Sequence, residues 1–174
     1  MSTPALGRPA ADEYAPYYER YVSLVPDSGI VETLERQIEE TLALLGSINE
    51  ERAAHRYAEG KWSIKQVVGH LTDAERIFAF RALAFARGDR AHMPSMDPDD
   101  YMKVANFDAR TLADLTEEFE QARRSNLLMF RGFSTEAWTR RGIASDNEVS
   151  VRALANIIAG HELHHVRILR ERYL

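Results

Sequence analysis

Cysteine is absent from this chain of 174 residues. Disulfides, thiolate nucleophiles and zinc sites with cysteine ligands are therefore excluded. Any bound metal must be held by nitrogen and oxygen atoms, and a thiol that takes part in chemistry has to be a diffusible molecule.

Long apolar runs and an excess of positive charge are lacking as well. No run approaches the ~20 apolar residues that cross a bilayer, and the first residues, "MSTPALGRPA", contain no signal-peptide core. We therefore expect a cytoplasmic protein without a membrane partner. The net charge of −5 gives no electrostatic reason to expect a nucleic acid as partner.

Four segments carry apolar residues at helical spacing. They run from about 30 to 45, from a capping box at Ser63 and Gln66 to Gly88, from Thr111 to Gly132, and from Ser150 to the end of the chain. No segment alternates with a period of two, so no strand is predicted. We predict an all-α fold, an up-and-down four-helix bundle with long crossover connections, in a single domain over residues 1–174. Residues 1–28 form an irregular segment that packs on the bundle.

The segment "GHELHH" at 160–165 contains three histidines of the last helix. A helical wheel places His161 and His165 on the apolar face and His164 at its boundary. Side chains at i and i+4 share one surface, so His161 and His165 can converge on one ion. His70, in the middle of the second helix, is best placed to supply a third ligand. Glycines precede His70 and His161, which suggests close backbone approach there.

These histidines also permit two other interpretations. A single inward histidine is usually a hydrogen-bonded core residue, but three imidazoles leave several polar nitrogens to satisfy, which one divalent cation does at once. His-Glu-x-x-His is also the zinc-protease signature. However, Glu162 lies about 70° off the inward face, the nine residues after His165 contain no His, Asp or Cys, and no strand is available to align a peptide. Peptide hydrolysis is therefore disfavoured.

Several polar residues could support the ligands. Asp73, Glu75, Glu162 and His164 are candidates to accept a hydrogen bond from a ligand imidazole and fix its tautomer. For Glu75 we favour instead an ion pair between helices, with Arg81 or Arg123. The crossover at 89–108 could cover the site, with Tyr101 and the "DPDDY" run at its mouth. No catalytic residue can be assigned.

The stretches "KWSIKQVVGHLTDAERIFAFRAL" at 61–83 and "GHELHHVRILRERY" at 160–173 resemble the DinB-like superfamily of metal-binding four-helix bundles. The resemblance covers nearly the whole chain. It implies a divalent metal held by His70, His161 and His165. Some relatives are metal-dependent thiol transferases, or isomerases that use a low-molecular-weight thiol; others have been called hydrolases, and many have no known reaction.

These observations lead to two functional hypotheses. The first is a metal-dependent enzyme acting on a small-molecule substrate, with thiol transfer to an electrophile ahead of hydrolysis. The second is a non-catalytic, stress-associated metal-binding bundle, in which a fourth protein ligand such as His164 would close the site. Zinc, nickel, iron and manganese all accept imidazole nitrogen. Zinc or nickel is expected before iron or manganese. The resemblance also favours a homodimer.

Overall fold

The computed structural model describes residues 7–174, so the first six residues of the predicted N-terminal segment lie outside it. Four long helices form a bundle, as predicted, and short helices and one small antiparallel sheet lie in the connections. No helix in the described range is long and apolar enough to cross a membrane. The helices are α1 Glu19–Val22, α2 Ile30–Gly46, α3 Glu50–Ala53, α4 Ile64–Ala86, α5 Pro98–Val104, α6 Leu112–Arg131, α7 Thr135–Thr139 and α8 Val151–Ile168, and the strands are β1 Arg141–Ala144 and β2 Asn147–Ser150.

Hydroxyl caps begin three of the long helices. The Ser63 hydroxyl accepts a hydrogen bond from the Gln66 N–H at 3.1 Å, and the Gln66 side chain accepts one from the Ser63 N–H at 3.0 Å. This is the predicted capping box, and it fixes where α4 starts. The Thr111 and Ser150 hydroxyls cap α6 and α8 by accepting from the N–H groups of Asp114 and Ala153, without the reciprocal side-chain bond. The last helix continues into a wider π-helical turn, Leu169–Tyr173.

The order of helices around the bundle differs from a simple up-and-down arrangement, in which consecutive helices are neighbours. Here α4 packs most extensively on α8 and then on α6, while α2 packs on α6 and α8. That part of the prediction is wrong, because the long connections before α4 and after α6 cross the bundle instead of joining adjacent helices. The crossing makes α4 and α8 neighbours.

A β-hairpin contradicts the expectation that the chain contains no strand. Strands β1 and β2 pair from Arg141 with Ser150 to Ala144 with Asn147. Ser145 and Asp146 form the two-residue turn with φ of 52° and 61°, the left-handed geometry that hairpin turns require. Four-residue strands are too short to show an alternating pattern, and the turn lacks the usual glycine. The crossover joins this hairpin through Met93, whose N–H donates to the Ile143 carbonyl at 2.9 Å.

The N-terminal segment packs on the bundle from residue 7 onward. Tyr14 and Tyr21 are buried, whereas Tyr17 is exposed, and α1 lies along α8. The crossover at 89–108 is not an open loop, since it contains α5 and a 3₁₀ turn at Phe107–Ala109.

A buried polar layer divides the apolar core in two. On α4 one apolar cluster ends at Leu71 and the other begins at Ala74, and the same change occurs between Ala159 of α8 and Leu169 of the π-helical turn that follows. The polar groups between the clusters come from all four long helices. They are Gln37, Thr41, His70, Glu75, Arg123, His161 and Glu162, all buried.

Candidate metal centre

His70, His161 and His165 converge between α4 and α8. The Nε2 atom of His161 lies 3.0 Å from Nε2 of His70 and 3.2 Å from Nε2 of His165. One nitrogen from each ring lies within 4.8 Å of the other two. The i, i+4 pair comes from one helix and the third ring from its neighbour, which is the arrangement that the helical wheels predict.

Burial keeps these three imidazoles neutral at physiological pH. Burial lowers the pKa of His70 to about 4. Burial, and after it the neighbouring histidines His70 and His164, lowers the pKa of His165 to about 3. His161 is shifted in the same direction, first by burial and then by the surrounding histidines. Each ring therefore retains a lone pair on one nitrogen, as a metal ligand must.

The three rings cannot satisfy one another by hydrogen bonding. A ring nitrogen carries either one hydrogen or one lone pair, so Nε2 of His161 can hydrogen-bond to only one of the two Nε2 atoms beside it. At least one of the two short contacts therefore joins nitrogens without a hydrogen between them. A buried polar atom without a partner costs about 1–3 kcal/mol, which makes the cluster unfavourable unless something else binds the nitrogens.

The glycines beside the histidines allow close packing, as the sequence suggests. A Cβ atom on Gly69 would come within 2.4 Å of the Phe107 ring, and one on Gly160 would come within 2.1 Å of the Tyr21 carbonyl oxygen. Any larger residue would displace the Phe107 ring at the first position and the backbone of the N-terminal segment at the second.

A second polar cluster, the Arg123 network, lies beside the histidines. The fully buried Arg123 guanidinium donates to both Glu75 oxygens at 2.9 Å and to Glu162 at 2.8 Å. Thr41 donates to the other Glu162 oxygen at 2.6 Å, and Asn126 donates to Glu75 at 3.0 Å. The ion pair favoured for Glu75 is thus made with Arg123. The wheel did not foresee that Glu162 would be buried, because a wheel counts apolar neighbours and not a buried arginine from another helix.

The remaining candidates lie near the site without a hydrogen bond to the three rings in the described part of the chain. Asp73 is half-buried on α4, and burial raises its pKa. His164 stays at the rim, with its ring 5.2 Å from that of His165. Sequence reasoning missed two aromatic neighbours: Tyr21, 5.3 Å from the His161 ring, and Trp62, 4.9 Å from the His70 ring. Only the glycine at 160 hinted at the first.

A cavity of about 300 Å³, the His165 cavity, opens beside the cluster. Its walls are largely aromatic, and Lys61 and Asp99 provide one charge of each sign. Asp99 belongs to the "DPDDY" run expected at the mouth of the site, but Tyr101 lines a different cavity. The lining residues are Tyr57, Gly60, Lys61, Trp62, Val67, Asp99, His165, Ile168 and Tyr173.

The family model of the DinB superfamily matches residues 33–169, a range that includes all three converging histidines. This chain belongs to the DinB superfamily. Among solved structures, this DinB superfamily member is similar to YfiT from Bacillus subtilis, described as a probable metal-dependent hydrolase with an unusual four-helix bundle topology. The two share 12% sequence identity with a TM-score of 0.67, over 94% of this chain and 89% of YfiT. The fold is therefore the same, and no curated protein sequence matches the chain.

Proposed function

We propose that His70, His161 and His165 bind one divalent cation, zinc or nickel before iron or manganese. The observation that carries the proposal is the cluster of three neutral imidazoles that cannot satisfy one another. Two nitrogens about 2.1 Å from one tetrahedral ion lie about 3.4 Å apart, close to the 3.0 and 3.2 Å between the Nε2 atoms. A shared cation would accept all three lone pairs.

We further propose that the site is catalytic and acts on small molecules. A divalent ion held by neutral ligands keeps its full charge and favours ionisation of a bound water or thiol near neutral pH. No fourth protein ligand joins the cluster within residues 7–174, which is the open arrangement typical of catalytic sites. The His165 cavity is of a size for a small substrate, with Lys61 to attract an anionic group. The alternative, an ion that only holds the helices together, would be favoured by a closed four-ligand site.

Thiol transfer is the reaction that we place first. Hydrolysis needs a base for the attacking water, and the two carboxylates buried in the same layer as the histidines, Glu75 and Glu162, are already bound to Arg123. Thiol transfer needs a weaker base or none, because a thiol ionises more readily than water. Its sulfur would form a bond to an electrophilic carbon, the leaving group would depart with the bonding electron pair, and the thiol proton would pass to solvent.

Hydrolysis is the second candidate, and two observations favour it. Asp99 lines the same cavity as His165 and could accept a proton from water. In addition, the structurally similar YfiT is described as a probable metal-dependent hydrolase. The two reactions differ in their dependence on Asp99.

The test combines metal binding with turnover. Zinc affinity, measured by competition with a chromogenic chelator, should fall by about a hundredfold or more in His70→Asn, His161→Asn and His165→Asn, while His164→Asn, the matched control, retains it. The zinc- and nickel-loaded protein is then assayed with cysteine, glutathione and 2-mercaptoethanol against 1-chloro-2,4-dinitrobenzene, and with nitrophenyl esters without thiol.

The outcomes separate the hypotheses. Thiol consumption that is lost in His161→Asn and kept in Asp99→Asn supports transfer. Ester cleavage that is lost in both variants supports hydrolysis. Tight zinc binding without turnover of any substrate would leave the non-catalytic alternative, and unchanged zinc affinity in all three histidine variants would refute the metal site.

The proposal also includes a homodimer in the cytoplasm, built from one domain spanning residues 1–174. Light scattering after size-exclusion chromatography tests the dimer, and a single cooperative unfolding transition tests the domain assignment. Fractionation of expressing cells tests the location.

A further inference from the structure

Arg81, on α4, is a buried cation without an anion. Only 5% of its surface is exposed. Its Nη2 donates to the Pro94 carbonyl at 2.6 Å and makes a long contact of 3.5 Å with the Ser145 hydroxyl. No carboxylate of residues 7–174 lies within salt-bridge distance of it, and residues 1–6 contain no Asp or Glu.

The aromatic neighbours of Arg81 do not replace the missing anion. Its guanidinium lies 5.7 Å from the centre of the Phe78 ring. The Tyr18 hydroxyl also senses this charge: burial raises the pKa of Tyr18, and Arg81 opposes that rise. A phenol is neutral at physiological pH, so the positive charge stays uncompensated. Buried arginines are rare unless they are paired, and Arg123 in the same bundle has two carboxylates.

Arg81 lines a cavity of about 280 Å³ that is separate from the His165 cavity. Its other walls are mostly apolar, and the exposed rings of Phe80 and Tyr101 stand at its rim. Arg76 also reaches it, but Arg76 is paired with Glu118 at 2.6 Å. The lining residues are Arg76, Ile77, Phe80, Arg81, Met93, Pro94, Ser95, Met96 and Tyr101.

We propose that this cavity, the Arg81 cavity, binds a small carboxylate with an apolar body. The carboxylate would take the free guanidinium N–H groups as charge-assisted hydrogen bonds. The aliphatic or aromatic body would contact Met93, Met96 and Phe80, which a hydrated inorganic anion would leave unused. A cavity of this size lies at the small end of ligand pockets, so the ligand has few atoms beyond one ring or a short chain.

The proposed site does not depend on the metal centre. Arg81 follows His70 by eleven residues on α4, which corresponds to about 16 Å along the helix axis. None of the three histidines lines the Arg81 cavity, and it shares no lining residue with the His165 cavity. Loss of metal binding and loss of carboxylate binding are separable results.

Methionine methyl groups offer a local readout. Met93 and Met96 line the cavity and serve as probes, while Met102 and Met129 do not line it and serve as controls in the same spectrum. The full chain, labelled with ¹³C at the methionine methyls, is titrated with phenylacetate and with the neutral 2-phenylethanol, both metal-free and zinc-loaded. We expect phenylacetate to shift the Met93 and Met96 signals and to bind about tenfold or more tighter than the alcohol.

Variants assign the effect to one charge. Arg81→Gln keeps a donor for the Pro94 carbonyl and should weaken phenylacetate binding about tenfold or more, to the level of the alcohol. Arg76→Gln, on the same wall, should change it less than about threefold, because that charge is already paired. Met96→Glu places a carboxylate in the cavity and should abolish phenylacetate binding while the Met93 signal remains as reporter.

Three results would overturn the proposal. They are equal affinity of the wild-type protein for the acid and the alcohol, no shift of Met93 and Met96 at millimolar phenylacetate, and unchanged phenylacetate affinity in Arg81→Gln. The first two need no variant, so they decide the matter even if a substitution at Arg81 prevents folding. Shifts that appear only in the zinc-loaded protein and spare Met93 and Met96 would place the acid on the metal, which also refutes the Arg81 site.

Discussion

The histidine cluster and the Arg123 network occupy the same buried layer of the bundle, yet they differ in whether their polar atoms have hydrogen-bond partners. In the Arg123 network all four carboxylate oxygens accept hydrogen bonds from Arg123, Thr41 or Asn126. In the histidine cluster three nitrogens of one kind face each other. A group that is complete within the protein contributes to the fold, whereas a group left incomplete has polar atoms free to bind a ligand. Arg81 belongs with the second kind.

The largest effect is expected from removing the arginine at the centre of the Arg123 network. Arg123→Met leaves Glu75 and Glu162 as buried, unpaired carboxylates and should lower the free energy of unfolding by about 3–5 kcal/mol. The matched control is Arg124→Met, because Arg124 pairs with Glu120 and Glu39 at the surface and should cost less than about 1 kcal/mol. Urea denaturation at pH 7 measures both. Equal losses in the two variants would contradict the structural role of the network.

Adding zinc to the histidine cluster should have the next largest effect. Zinc at about a hundred times its dissociation constant should stabilise the wild-type protein by about 2.7 kcal/mol. His161→Asn should gain nothing from zinc, while His164→Asn should gain as much as the wild type. Urea unfolding with and without zinc gives the difference. A full zinc effect in His161→Asn would mean that zinc binds somewhere else.

The packing around the histidines should be sensitive to one methyl group. Gly160→Ala places a Cβ against the Tyr21 carbonyl, which is backbone and cannot rotate away, so we expect a loss of about 1–3 kcal/mol and faster protease cleavage before Ile30. Gly46→Ala is the control, since no atom lies within 4 Å of the added Cβ. Cleavage at equal rates in both variants would show that the segment does not depend on this contact.

A pH dependence also distinguishes the two regions. Burial lowers the folded-state pKa of His70 to about 4 and of His165 to about 3, while the unfolded value is about 6.5. The unfolded state therefore binds protons first, and the metal-free protein loses stability as the pH falls from about 6.5 towards 4, by up to about 1.4 kcal/mol per pH unit for each histidine.

Urea midpoints at pH 7, 6 and 5 measure this dependence. His70→Asn removes one titrating group, so its stability should fall less steeply than that of the wild-type protein. Parallel curves for the two proteins would argue that His70 is not held neutral in the folded state.

The sequence predicts the parts of this molecule that depend on local periodicity. The four long helices, the caps at Ser63, Thr111 and Ser150, and the pairing of His161 with His165 all follow from spacing along one helix at a time. What it missed depends on contacts between distant segments. The order of the helices follows from connections that cross the bundle, and the burial of Glu162 depends on an arginine from α6.

The same limit applies to the unpaired cation and the hairpin. The sequence suggests Arg81 only as a partner for Glu75, because nothing in it shows that Glu75 is paired with Arg123. The strands at Arg141–Ala144 and Asn147–Ser150 are too short for their alternation to be distinguished from chance, and their turn contains serine and aspartate in a conformation that glycine usually adopts.

The position of Tyr21 over Gly160 has a practical consequence for dissecting this protein. A fragment trimmed to the region shared with the superfamily, residues 33–169, would retain every one of the three imidazoles. It would nevertheless lose the tyrosine that shields one side of them and, with Tyr173, part of the wall on the other. Such a fragment should leave the three imidazoles open to solvent from two directions, so the proposed metal binding and turnover should be measured on the entire chain.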